Sequence, residues 1–190
     1  MKIDKLTILK TQCERETEEP MVFGEGNPDA QILLIGEAPG AKEVELEKPF
    51  VGQAGKNLDE FLAALKLERE DIYITNVVKI RPYKVNEKTG RKSNRPPNKA
   101  EIEQYAKYLY KEIQIIQPKI IVTLGNVPLK TILKDDKATI GEKHGVPIMQ
   151  EGYIVFPLYH PASIIYRREL KETYQEDLLK LKVFMEEEGI

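Results

Sequence analysis

Cysteine is almost missing from this chain. Cys13 is the only one in 190 residues, which excludes an internal disulfide and any metal site built wholly from this chain's cysteines. Histidine is nearly as scarce, with His144 and His160 alone; with no second histidine or cysteine cluster beside His160, a zinc site is not expected. No apolar run approaches the ~20 residues of a bilayer-spanning helix. The first residues, MKIDKLTILKTQ, are too polar for a secretory signal. A cytoplasmic protein with no membrane partner is the expectation. GxSxG, Walker A and GxGxxG patterns are also lacking, which sets aside hydrolase-elbow, P-loop and dinucleotide readings as first choices. No internal repeat is visible.

Hydrophobic residues make up 41% and charged residues 32%, a soluble globular balance. The length suits a single domain spanning residues 1–190, with a core large enough to fold without staples. The net charge of −2 argues weakly against a nucleic-acid partner, yet the charge is segregated. Residues 79–99 carry eight cations (Lys79, Arg81, Lys84, Lys88, Arg91, Lys92, Arg95 and Lys99) against Glu87 alone, a local +7 that leaves about −9 elsewhere. Such a segment is either a solvated loop or a phosphate-contacting surface.

Four short apolar runs read as buried strands: QILLI (31–35), IYITNVV (72–78), KIIVTL (119–124) and YIVFPL (153–158). Helical spacing links Leu58, Phe61, Leu62 and Leu65. It recurs from Ile102 to Ile116 on a longer helix begun near Asn98, then over Val127–Leu133 and Tyr174–Phe184. Strands alternating with helices predict a three-layer α/β/α sandwich around a four-stranded, mostly parallel sheet. Residues 82–98, rich in Pro, Lys and Asn, are expected to be a long loop.

The unusual residues cluster at the strand ends. GEAPG (36–40) follows the first strand, Asn76 lies near the end of the second, LGN (124–126) closes the third and HPAS (160–163) follows the fourth. In open α/β sheets, ligands bind beyond the carboxyl ends of the strands. Glu37 could cap a helical turn or orient a water. Phe50 could be a core aromatic or, in its small-residue loop, a face that stacks on a planar ligand. Asn76 needs partners for both ends of its amide, from backbone or from a ligand edge. His160 could be a structural hydrogen-bonder or a donor to an oxygen that gains charge. Together these groups describe a pocket for a flat heterocycle beside a basic segment, as enzymes that flip bases require.

The motifs VFGEGNPDA (22–30), GEAPG (36–40), KPFVGQAGKNLD (48–59), ITNVVKIRP (74–82), NRPPNKAEI (94–102), PKIIVTLGN (118–126) and HPASIIYR (160–167) make the chain resemble, from about Met21 to Asp177, the type-4 (thermophile-type) uracil-DNA glycosylases. The resemblance implies a monofunctional base-excision-repair enzyme that hydrolyses the N-glycosidic bond of uracil in DNA, acting as a monomer. It implies a uracil site lined by Gly36, Glu37 and Ala38, with Phe50 stacking, Asn76 pairing with O4 and N3–H, and His160 donating to O2. Arg81, Arg95, Ser163 and Arg167 would contact DNA. Type-4 enzymes carry four cysteines for a [4Fe–4S] cluster; two of those positions are Ile80 and Tyr105 here, and only Cys13 stands near the N-terminus. One thiolate cannot hold such a cluster, so no cofactor is expected, and apolar packing around Ile80 and Tyr105 takes its place. The family's acidic pair after the turn is Glu43-Val44 here, which leaves Glu37 or Glu43 to position water. An altered base preference, or non-catalytic binding of damaged DNA or abasic sites, are the alternative readings.

Overall fold

The computed structural model describes all of Met1–Ile190. In chain order it forms α1 (Lys2–Arg15), β1 (Glu25–Gly26), β2 (Ile32–Gly36), α2 (Ala41–Leu46), α3 (Gly52–Leu65), a 3₁₀ turn and β3 (Ile72–Asn76). A hairpin of β4 (Tyr83–Val85) and β5 (Lys92–Asn94) precedes α4 (Lys99–Ile116) and β6 (Ile120–Leu124). Then come α5 (Asn126–Leu133), α6 (Ile140–Lys143), β7 (Ile148–Gln150), β8 (Tyr153–Leu158), α7 (Pro161–Tyr166) and α8 (Leu170–Glu188). No helix is long and apolar enough to cross a membrane.

The four expected strands form the parallel centre of the sheet, in the order β3-β2-β6-β8. The sheet has six strands rather than four, because β1 pairs antiparallel with β3 at one edge and β7 with β8 at the other. These edges are two and three residues long, too short to stand out in the sequence as strands. Short edges limit the unpaired backbone offered to other chains.

Both faces of the sheet are covered, and the alternation within β2 shows it. Ile32 and Leu34 join one core cluster with Leu58, Phe61 and Leu62 of α3 and Leu178 and Leu181 of α8. Leu33 and Ile35 join the other, with Leu9 and Cys13 of α1 and Tyr105, Leu109 and Ile113 of α4. That is why each central strand reads as a continuous apolar run instead of an alternating one. Helix α4 starts where expected: Asn98 Oδ1 accepts from the Glu101 N–H (2.9 Å), and the Glu101 carboxylate accepts from the Asn98 N–H (3.3 Å).

The segment expected as a long loop holds the β4–β5 hairpin. Its turn is stabilised by Asn86, whose Oδ1 accepts from the N–H of Lys88 and of Thr89, with Gly90 at φ +68°. Nearly every residue of this hairpin is exposed, so no apolar alternation marks it in the sequence.

Leu34 is fully buried at the centre of a strand with neighbours on both sides. Leu34→Ala is expected to lower unfolding free energy by about 2–5 kcal/mol, read from the urea midpoint; a loss under ~1 kcal/mol would contradict this placement of the core.

Candidate functional site

Strand β2 lies between β3 and β6, and the chain leaves β2 toward β3 and later crosses to β6 on the other side. This is a switch point of the sheet, where the loops leaving adjacent strands diverge and open a crevice. A cavity of about 340 Å³ lies there. Its walls include Ala38, Glu43, Phe50, Asn76, Asn94 and His160, so Ala38, Phe50, Asn76 and His160 come together as the sequence implied. Gly36 is not part of the wall but lies behind two of its residues: a Cβ at Gly36 would stand 2.4 Å from Asn76 Oδ1 and 2.6 Å from the tip of the Phe50 ring. Only glycine lets these two side chains approach so closely.

Asn76 ends β3, opposite Gly36 in the register. It is 4% exposed, and its carboxamide finds no hydrogen-bond partner within the protein while facing the cavity. Its amide atoms are not sealed off without partners but open onto the cavity, where a ligand edge with one donor and one acceptor would engage both ends.

Phe50 is held in a left-handed backbone conformation, φ +51°, uncommon for a bulky residue. Two contacts fix it there. Arg69 Nη2 donates to the Phe50 carbonyl (2.5 Å), and the next amide, Val51 N–H, donates to Glu43 Oε1 (3.3 Å). Glu43 Oε2 accepts from the Gly40 N–H (3.1 Å). This carboxylate therefore ties the β2–α2 turn to the Phe50 loop while forming part of the cavity wall.

His160 precedes Pro161 at the start of α7, and its Nδ1 accepts from the Ala162 N–H (3.1 Å). That bond leaves Nδ1 unprotonated and puts the ring proton on Nε2. Burial holds the imidazole pKa below its ordinary value of 6.5, so the ring is neutral and still a donor. Burial likewise raises the Glu37 carboxyl above the usual range. The Glu37 side chain is not part of the cavity wall; its backbone carbonyl accepts from the Val78 N–H (3.0 Å).

Asn94 was not singled out from the sequence. It reaches the cavity from the hairpin, and Arg81 Nε donating to its Oδ1 (2.7 Å) fixes which end of the amide is free. Only the tertiary fold brings it there, although NRPP (94–97) is the motif that holds it. Of the four expected DNA-contacting residues, Arg81 is thus engaged with Asn94. Arg95 forms a two-pronged ion pair with Glu101 (2.5 and 3.2 Å). Arg167 pairs with Glu169 (3.1 Å) on the exposed surface, and Ser163 lies in α7 beside His160. Lys84, Lys88 and Arg91 project from the exposed hairpin and form no ion pair.

The corner formed by Cys13, Ile80 and Tyr105 does not fit an iron–sulfur cluster. Cys13 is fully buried in the apolar cluster with Tyr105, and burial pushes its thiol up to about 11, so the reactive thiolate is disfavoured. Ile80 pairs with Met21 across a β-bridge, and the Tyr105 hydroxyl meets Thr17 (3.3 Å). One thiol and side chains that already fill the space leave neither the ligands nor the room. No group of three His, Cys, Asp or Glu residues gathers anywhere in the chain.

Residues 23–182 match the model of the uracil DNA glycosylase superfamily. Among individual proteins, the chain is 39% identical over 178 residues to a type-4 uracil-DNA glycosylase of Archaeoglobus fulgidus, covering 90% of this chain and 85% of that protein. It is 40% identical to a type-4 uracil-DNA glycosylase of Sulfurisphaera tokodaii (85% and 73% coverage). The corresponding protein of Thermotoga maritima is 38% identical (89% and 85%).

The geometry at His160 fixes the sign of a pH effect. A histidine whose folded pKa is lowered contributes stability that is whole above its unfolded value and is lost as pH falls through that value toward the folded pKa. NMR titration is expected to give His160 a pKa below 6.5 with the proton on Nε2; a pKa above 6.5, or a proton on Nδ1, would contradict this arrangement.

Proposed function

Because the chain belongs to the uracil-DNA glycosylase superfamily, we propose that it excises uracil from DNA as a monofunctional glycosylase, leaving an abasic site. The observation that carries this reading is the unpaired Asn76 amide, buried in the same cavity as Phe50 and the donor face of His160. Uracil offers a complementary edge: O4 accepts from the Asn76 NH₂ and N3–H donates to Oδ1. Cytosine presents the opposite pattern at both atoms and would leave polar groups unpaired, a mismatch that such sites reject by roughly 10⁴-fold.

The chemistry follows from the same groups. The base leaves the duplex stack and enters the cavity, where the Phe50 ring lies against its face. As the C1′–N1 bond breaks, its electron pair moves onto the uracil ring, and negative charge grows on O2. Neutral His160 donates Nε2–H to that oxygen. A neutral donor stabilises the anion without adding a buried cation, in the manner of an oxyanion hole. The sugar meanwhile becomes oxocarbenium-like and is attacked at C1′ by water. Glu43, the one carboxylate in the cavity wall, with both oxygens already oriented by backbone N–H groups, is the group that offsets that positive charge and orients the water. Glu37, outside the wall, acts through its backbone. The His160 donor favours catalysis over damage binding alone, since a binder needs no group aimed at O2.

DNA phosphates are met by the hairpin cations Lys84, Lys88 and Arg91 and by Arg167 and Ser163 beside His160. Arg81 and Arg95, through Asn94 and Glu101, anchor the hairpin that carries the first three.

The direct test is a labelled single-uracil oligonucleotide incubated with the protein and then cut with alkali. Strand cleavage is expected; intact strands under excess protein would refute catalysis. Asn76→Ala and His160→Ala are each expected to slow single-turnover excision by about 10²–10³-fold. Glu43→Gln should cost more than Glu37→Gln, and the reverse order would reassign the water. Neutralising Lys84, Lys88 and Arg91 together should weaken DNA binding and flatten its salt dependence by up to about one log unit per cation; an unchanged slope would remove the hairpin from the interface.

A further inference from the structure

We propose that Lys79, locked by Glu112, is a positioning residue that sets where Asn76 presents its amide, and thereby the selection of uracil, without touching substrate. The proposal rests on the reading of Asn76 as the group that reads the base.

Lys79 and Glu112 are both fully buried, one following β3 and the other inside α4. The ammonium has three protons and three partners: Thr75 Oγ1 (2.6 Å), the Asn76 backbone carbonyl (2.8 Å) and Glu112 Oε2 (2.5 Å). The aromatic ring of Phe23 lies 5.2 Å from the nitrogen. Glu112 in turn accepts from the hydroxyls of Thr75 (3.0 and 3.1 Å) and Tyr73 (3.3 Å). Gly24 makes room for this cluster, since a Cβ there would stand 2.4 Å from Glu112 Oε1.

The network therefore grips β3 at Tyr73, Thr75 and Asn76, the last residues before the cavity, and ties them to a helix on the far side of the sheet. Buried ion pairs contribute little net stability compared with apolar side chains of the same volume, because desolvation offsets their attraction. What this one supplies is a fixed position for the peptide of Asn76. The Asn76 side chain has no partner of its own, so its placement before the base arrives is inherited from that peptide. Displacements of about 1 Å at such a group cost up to ~10²-fold in rate.

The experiment compares wild type, Glu112→Leu, the double variant K79M/E112L and Lys79→Arg. Each is read by melting temperature, single-turnover rates on uracil- and cytosine-containing strands, DNA affinity, and the side-chain amide resonances of Asn76 in the free protein. Glu112→Leu strands a buried cation and is expected to melt well below wild type. The double variant should recover melting temperature and bind DNA like wild type. Its uracil excision is nevertheless expected to remain ~10–100-fold slow, with a reduced uracil-to-cytosine ratio and shifted or broadened Asn76 amide signals. Lys79→Arg keeps the charge pair but not the single-nitrogen reach; it should show the same separation of rate from stability, and it decides the matter if the double variant does not fold. Folded variants with wild-type rate, base ratio and amide signals would overturn the proposal. Should wild type itself not excise uracil, the functional reading falls, and unchanged Asn76 amide signals in a folded variant would still overturn the positioning role.

Discussion

Four parallel strands that must be covered on both faces, and whose carboxyl ends meet at one rim, set the terms for the rest of this molecule. A parallel pair cannot be closed by a tight hairpin, so each strand requires a crossover helix. The helices α3 and α8 on one face and α1 and α4 on the other bury the strand residues alternately. Every crossover then leaves from the same rim. The switch in direction around β2 prevents those departing loops from closing over it. The cavity is thus a product of topology before any side chain is considered.

Polar chemistry at such a rim sits against an apolar sheet, and the protein orients most of these groups through hydrogen bonds of its own, in two of them at one end only. His160 uses Nδ1 to cap Ala162 and keeps Nε2 for the cavity. Asn94 gives its oxygen to Arg81 and keeps its NH₂. Glu43 holds two backbone amides while remaining in the wall. Phe50 carries a strained backbone, of order 1–3 kcal/mol in such cases, held by Arg69 and by the Glu43 contact to its neighbour. Only Asn76 has neither end of its side chain engaged, and it is the one whose peptide is gripped from behind by Lys79.

The same logic explains the corner near the N-terminus. Helix α1 docks on α4 through Leu9, Cys13, Tyr105 and Leu109, and the Met21–Ile80 bridge ties the following segment to the residues after β3. Apolar contact is non-directional and needs only area and fit, so side-chain packing can join these segments without a thiolate ligand set. The cost is legible too: the buried Cys13 thiol has lost the reactivity a ligand would need.

The central strands, the helices α3, α4 and α8, and the rim that gathers Asn76, Phe50 and His160 were all legible in the sequence, because apolar runs and helical spacing are local patterns. Helix α1 was not, since only Leu9 and Cys13 of it are buried and so narrow a stripe carries little periodicity. The edge strands β1 and β7 and the exposed β4–β5 hairpin were missed for the same reason: backbone pairing and turn geometry, not apolar pattern, make them. Among site residues, Arg81 and Arg95 were expected to contact DNA; what the sequence did not reveal is that Asn94 and Glu101 are their partners within the chain. It could not separate Glu37 from Glu43, because which carboxylate faces the cavity depends on how the β2–α2 turn meets the Phe50 loop. By itself, then, the sequence determined the elements and the residue types at each strand end. The tertiary structure alone decided which of those polar groups have both ends satisfied and which keep one for a ligand, because hydrogen-bond partners such as Lys79 and Glu112, 33 residues apart, meet only when the sheet and helices close around them.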